Sequence, residues 1–133
     1  MAHTLVNPEG LHDPVPFGYS HTAAVPAGTE LVLVSGQYGS DPDGAVVSAD
    51  FAEQVKRTFH NIGVALAAHG LDLGHVVRLR TYVVNHDGAK LGPIAGAVRE
   101  IWGTRPPTQT LVGVASLATP DMLFEVEALA ARP

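Results

Sequence analysis

A single mixed β-sheet with two helices packed on one face, an α/β domain of the α+β kind, is the fold that the 133-residue chain predicts. Three observations carry this. An apolar stripe with helical spacing runs from Phe51 to Leu66 behind a capping residue. A β-branched run at Val76–Val84 alternates by twos. The order of segments is strand, strand, helix, strand, helix, strand, strand, with room for a short extra strand at Ala45–Val47 before the first helix.

Residues 1–16 hold Pro8, Gly10, Pro14 and Pro16 and read as an irregular arm of one domain spanning 1–133. A first strand is expected near Tyr19–Val25, closed by the turn Pro26-Ala27-Gly28. Leu31–Val34 is a short buried strand, ended by Ser35-Gly36-Gln37. Asp41-Pro42-Asp43-Gly44 is a turn, because proline presets φ and glycine accepts positive φ. Asp50 caps the first helix, with Glu53 three residues on. Phe51, Val55, Phe59, Ile62 and Leu66 form its stripe, and Gly70 ends it.

In Val76–Val84, Val77, Leu79, Thr81 and Val83 share one face while Arg78, Arg80 and Tyr82 take the other. The second helix is expected at about Ala89–Trp102, with Pro93 tolerated in its first turn. Arg105-Pro106-Pro107 is extended. Gln109–Ala115 and Leu123–Ala131 close the sheet, with Glu125 and Glu127 on the face opposite Phe124 and Val126. That second sheet face combines Arg78, Arg80, Glu125 and Glu127 with Leu31, Leu33 and Leu111. A mixed face of this size calls for cover by a partner subunit.

Composition excludes several function classes. The chain has no cysteine, so thiolate chemistry and disulfides are absent. Its net charge of −5 offers no basic footprint for nucleic acid. No apolar stretch reaches the length of a membrane span, and the first residues lack a secretory pattern, so a cytoplasmic location is expected. Seven histidines are spread along the chain, and none of their spacings is that of a metal motif such as HExxH; no metal is expected.

The ordered set Gly18-Tyr19-Ser20, Ser35-Gly36-Gln37, the capped helix from Asp50, Pro107-Thr108-Gln109-Thr110-Leu111-Val112-Gly113-Val114 and Phe124-Glu125-Val126-Glu127-Ala128 resembles the RidA-like (YjgF/YER057c/UK114) family along nearly its whole length. The resemblance implies a chorismate-mutase-like fold, a homotrimer and small-molecule clefts at subunit boundaries. It implies hydrolysis of 2-imino or enamino acids to 2-keto acids and ammonia, without metal or organic cofactor. In that family an arginine on the penultimate strand grips the substrate carboxylate. The matching position here is Gln109. The glutamate that places the attacking water matches Glu125, the N-terminal tyrosine matches Tyr19, and an asparagine of the second helix falls at Ala95.

Each candidate has a chemical and a structural reading. Glu125 is either the proton-handling catalytic group or half of an ion pair with Arg78 or Arg80; Glu127 shares that alternative. Gln109 either bonds a ligand or is a solvated strand amide. A neutral amide lacks the charge-assisted grip of a guanidinium, so weak binding of simple 2-imino acids is expected, with Arg80 as the compensating cation. Tyr19 offers its phenol to a ligand or packs at an interface. Ser35, Gly36 and Gln37 line the pocket, or Gly36 is a bulge. His21, two residues after Tyr19 on the same side of a strand, is an acid–base or binding group, or a packed imidazole. The function expected is a deaminase, hydrolase or related acid–base catalyst on an imine, enamine or conjugated carbonyl compound. The alternative is a trimer that binds a metabolite without turnover.

Overall fold

The computed structural model describes residues 2–133. Six strands and two α-helices are present among them: β1 (Thr4–Val6), β2 (Thr22–Ala24), β3 (Leu31–Tyr38), α1 (Phe51–Ala67), β4 (Val76–Val84), α2 (Leu91–Trp102), β5 (Thr108–Val114) and β6 (Phe124–Ala131). The main sheet has the order β3-β6-β4-β5. β6 lies antiparallel to both β3 and β4, while β4 and β5 run parallel across α2, which makes the sheet mixed.

α1 forms where the stripe predicts. Asp50 is extended, and its carboxylate accepts the Glu53 N–H at 3.0 Å, which satisfies one of the helix's free donors. Val55, Phe59, Ile62 and Leu66 are buried against the sheet. The Phe59 ring meets Trp102 and Phe124 edge-on, at centroid distances of 5.6 and 6.0 Å. Gln54 is also buried, and its amide is fully used: Nε2 donates to the Ser48 and Asp121 carbonyls and Oε1 accepts from Leu123 N–H. The helix ends at Ala67, earlier than expected from Gly70. That glycine sits in the following turn with φ 70°.

The alternation in β4 and β6 holds. Leu79, Thr81, Val83, Phe124 and Val126 are buried under the helices, and Arg78, Arg80, Tyr82, Glu125 and Glu127 stand on the open face. α2 begins at Leu91, after a 3-10 turn over Gly88–Lys90 whose first amides are held by Asp87. Pro93 therefore lies in its first turn.

Five further expectations differ from the structure. Thr4–Val6, read as irregular arm, is a strand paired with β2, and Thr22 Oγ1 donates to the Val6 carbonyl. The first expected strand shrinks to Thr22–Ala24 plus one bridge from Ser20 to Thr108. β3 continues through Ser35-Gly36-Gln37 by means of a bulge between Val34 and Gln37, and the expected strand at Ala45–Val47 is only the bridge Ser40–Val46. Leu111 faces the helices and packs on the core, because its register partner in β4 is the buried Thr81; Val112 takes the open face.

Candidate functional site

The predicted site residues fall into two groups. The first lies where the arm meets the start of β5. Ser20 fastens the two: its N–H donates to the Pro107 carbonyl and its hydroxyl to the Pro106 carbonyl. Tyr19 and His21 then project from the arm into a cleft of about 530 Å³, whose other wall is Arg78, Thr108, Gln109 and Thr110. The His21 N–H donates to Asn7 Oδ1 at 2.7 Å, which fixes its backbone.

His21 Nε2 lies 2.8 Å from the His12 carbonyl. A carbonyl only accepts, so the proton is on Nε2, and neutral His21 keeps its lone pair on Nδ1. His12 was not among the residues singled out from sequence. Its ring Nε2 pairs with the Tyr19 hydroxyl, and its ring packs edge-on against both Tyr19 and His21. Its signal was hidden because it sits in the proline-rich arm, seven residues from Tyr19, with no periodic element linking them.

Gln109 is partly buried and committed at both ends. The hydroxyl of buried Thr81 donates to its Oε1 at 2.6 Å, and its Nε2 donates to the Gly18 carbonyl at 2.9 Å. Gly18 turns the arm with φ 86°, a conformation that favours glycine. Ala95 of α2 lies directly beneath it.

The second group gathers on the open face at the β3 bulge. Gly36 faces Glu125 so closely that a methyl group in its place would overlap the carboxylate. Burial, and secondarily the charge of Glu127, push the Glu125 carboxyl above its ordinary range. Tyr82 donates its phenol to Glu127 Oε1 at 2.6 Å, and that bond in turn raises the Tyr82 phenol. Arg80 is in register with Glu127 and lines a smaller hollow with Tyr82, Thr110 and Val112. Gln37 Nε2 donates to the Ser35 carbonyl across the bulge.

Within one chain these groups are separate. Gln109 is opposite Leu79 and Glu125 opposite Tyr82 on the intervening strand β4. Three residues along the strand and two strand spacings across put them roughly 14 Å apart. They also point to opposite faces. Glu125, Ser35, Gly36 and Gln37 stand together; Tyr19, His21 and Gln109 stand together; Arg80 lies between. Among the described residues no three His, Asp or Glu side chains converge as a metal site, and no helix is long and apolar enough to cross a membrane.

Residues 13–132 match the family model described as Endoribonuclease L-PSP. The RutC family protein YjgH of Escherichia coli is 33% identical over 131 residues, covering 98% of this chain and 95% of that one. The 2-iminobutanoate/2-iminopropanoate deaminase of Salmonella typhimurium is 29% identical over 103 residues, 77% of this chain and 80% of the relative. Among solved structures, YyfB of Yersinia pestis, described as a protein of unknown function of the conserved Rid protein family, superposes with a TM-score of 0.93 at 34% identity, covering 99% of this chain and all of that one. The matched fold, the ordered motifs and these relatives agree: the chain belongs to the Endoribonuclease L-PSP family, the RidA-like (YjgF/YER057c/UK114) group.

Proposed function

We propose that the chain is a hydrolase that deaminates a small imine or enamine bearing a carboxylate, in clefts formed between the subunits of a homotrimer. The observation that carries this reading is Glu125: a carboxylate tucked under the Gly36 bulge, on a sheet face that a lone chain leaves open. An acid held in this way is suited to take a proton from water and return it. The relatives named as 2-iminobutanoate/2-iminopropanoate deaminases support the same class of reaction.

The chemistry needs water and a proton carrier. An enamine first tautomerises to the imine, gaining a proton on its β-carbon and losing one from nitrogen; water then adds its oxygen to the carbon of the C=N bond while Glu125 accepts a water proton. Proton transfer to nitrogen turns it into a leaving amine. Collapse of the carbinolamine then breaks the C–N bond, forms the C=O bond and releases ammonia. The half-sites explain the need for assembly, because Glu125 and the Tyr19–His21 cleft are too far apart in one chain to share a small substrate. A neighbouring copy packed on the open face supplies one group while the first supplies the other.

The test is ammonia release from 2-imino acids generated in place by an amino-acid oxidase, over a series of side chains. Wild type should exceed the uncatalysed rate, and Glu125→Gln should fall to it, because an amide does not accept the proton. A wild type no faster than the blank across the series would overturn the reading.

A further inference from the structure

The reading above leaves open which group holds the substrate's carboxylate. We infer that Arg78, rather than Gln109 or Arg80, is the carboxylate anchor of the Tyr19–His21 cleft, and that Gln109 is a strut that holds the cleft's shape. This rests on the proposed reaction only for the kind of ligand; the anion site itself stands on the geometry.

Gln109 is unavailable as a grip. Its carbonyl is taken by Thr81 and one amide hydrogen by Gly18, so the side chain ties β4, β5 and the arm together. Turning it toward a ligand would strand the Thr81 hydroxyl, which is fully buried. Arg80 has an acidic neighbour and less room: its register partner on β6 is Glu127, and it lines the smaller hollow next to Tyr82.

Arg78 differs on both counts. Its register partners are Leu129 on β6 and Thr108 on β5, neither of them acidic. Neither arginine takes part in an ion pair among the described residues, so the acidic register partner and the cleft are what set the two apart. Arg78 is exposed, and it lines the same cleft as Tyr19, His21 and Thr110. A guanidinium in a cleft beside an imidazole whose Nδ1 accepts matches a small 2-imino carboxylate. The carboxylate takes the fork of Arg78 and the imino N–H donates to His21 Nδ1, while a 2-oxo acid keeps the carboxylate contact alone.

The probe is pyruvate, with pyruvamide as its uncharged counterpart, titrated into the full-length protein by calorimetry and by NMR. Wild type should bind pyruvate and shift the Arg78 Nε–H resonance while leaving that of Arg80 in place; pyruvamide should bind weakly. Arg78→Gln should weaken pyruvate by at least about tenfold, as expected for losing a charge-assisted pair. Arg78→Lys should fall between, and Arg80→Gln should stay within about twofold of wild type, an order of magnitude less than a lost ion pair. The inference is overturned if Arg78→Gln binds pyruvate as wild type does, if pyruvamide binds as tightly as pyruvate, or if wild type binds no pyruvate. If Arg78→Gln does not fold, the wild-type resonance shifts and the pyruvate–pyruvamide pair decide alone. Binding through Arg78 without ammonia release would sink the deaminase reading and keep the anchor. Turnover with unchanged KM in Arg78→Gln would do the reverse.

Discussion

Glu125 sits where chemistry and stability pull in opposite directions. Its carboxyl is raised first by burial and then by Glu127, so the folded state holds its proton more tightly than the unfolded chain does. The stabilising contribution of that site is fully present below the unfolded value near 4.5 and is lost as pH rises through the higher folded value. At neutral pH the ionised group is therefore a burden. Glu125→Gln should raise the melting temperature at pH 7, with the gain fading as pH falls through the raised folded value and gone by about 4.5, the unfolded value, while activity disappears. Thermal denaturation of both proteins from pH 4 to 8 reads this directly, and equal or lower stability of the variant at pH 7 would refute it. The sequence placed Glu125 and Gln109 on strands by alternation. It could not show that Gln109 faces Thr81 and Gly18, since those contacts span 28 and 91 residues. Nor could it show His12, whose role depends on how the arm folds back on Tyr19.

Elements with a strong period were legible almost to the residue. α1 announced itself by Asp50 and its stripe, and β4 by its alternation, because burial on one face imposes that pattern on the sequence. Phe59 tests the assignment of the stripe. It is 1% exposed and wedged between Trp102 and Phe124. Phe59→Ala should cost about 3–5 kcal/mol in urea unfolding, and a loss below about 1 kcal/mol would mean the ring does not pack as described. Short or irregular elements were less legible. Thr4–Val6 has three residues, too few for its alternation to stand out; it is a strand because Ala23 and its neighbours in β2 lie alongside it. The run Ser35-Gly36-Gln37 read as a strand end because glycine and serine usually close strands. It continues the strand because the bulge absorbs the extra residue and brings Gly36 against Glu125.

For the whole molecule, the layer order followed from the sequence, and the second sheet face, for which the sequence calls for a partner's cover, stands open in a single chain. The helices bury one sheet face, yet Leu33 on the other is 76% exposed and Leu31 and Val112 stand nearly half exposed beside it. A patch of this kind on a sheet marks an interface. Light scattering should give three times the chain mass, and Leu33→Lys should shift the protein toward single chains and abolish turnover with them. A wild-type mass of one chain or a clean dimer would remove the inter-subunit cleft. Leu111, assigned to this face from its apolar character, belongs to the core instead. Parallel pairing with β4 decides its side, and the offset of a parallel register is not written in composition.

The order β3-β6-β4-β5 has a consequence for how the protein is made. β6, the final strand, is the one that joins β3 to β4, and it occupies the interior of the sheet. During synthesis, everything up to Met122 can emerge while β3 and the β4–β5 pair have no strand to connect them. Each then exposes an unpaired edge and an uncovered apolar face. The sheet closes only when Phe124–Ala131 inserts between β3 and β4, a pairing that spans most of the described residues in sequence. Loss of this one eight-residue strand would therefore split the sheet into two parts that share no hydrogen-bonded edge.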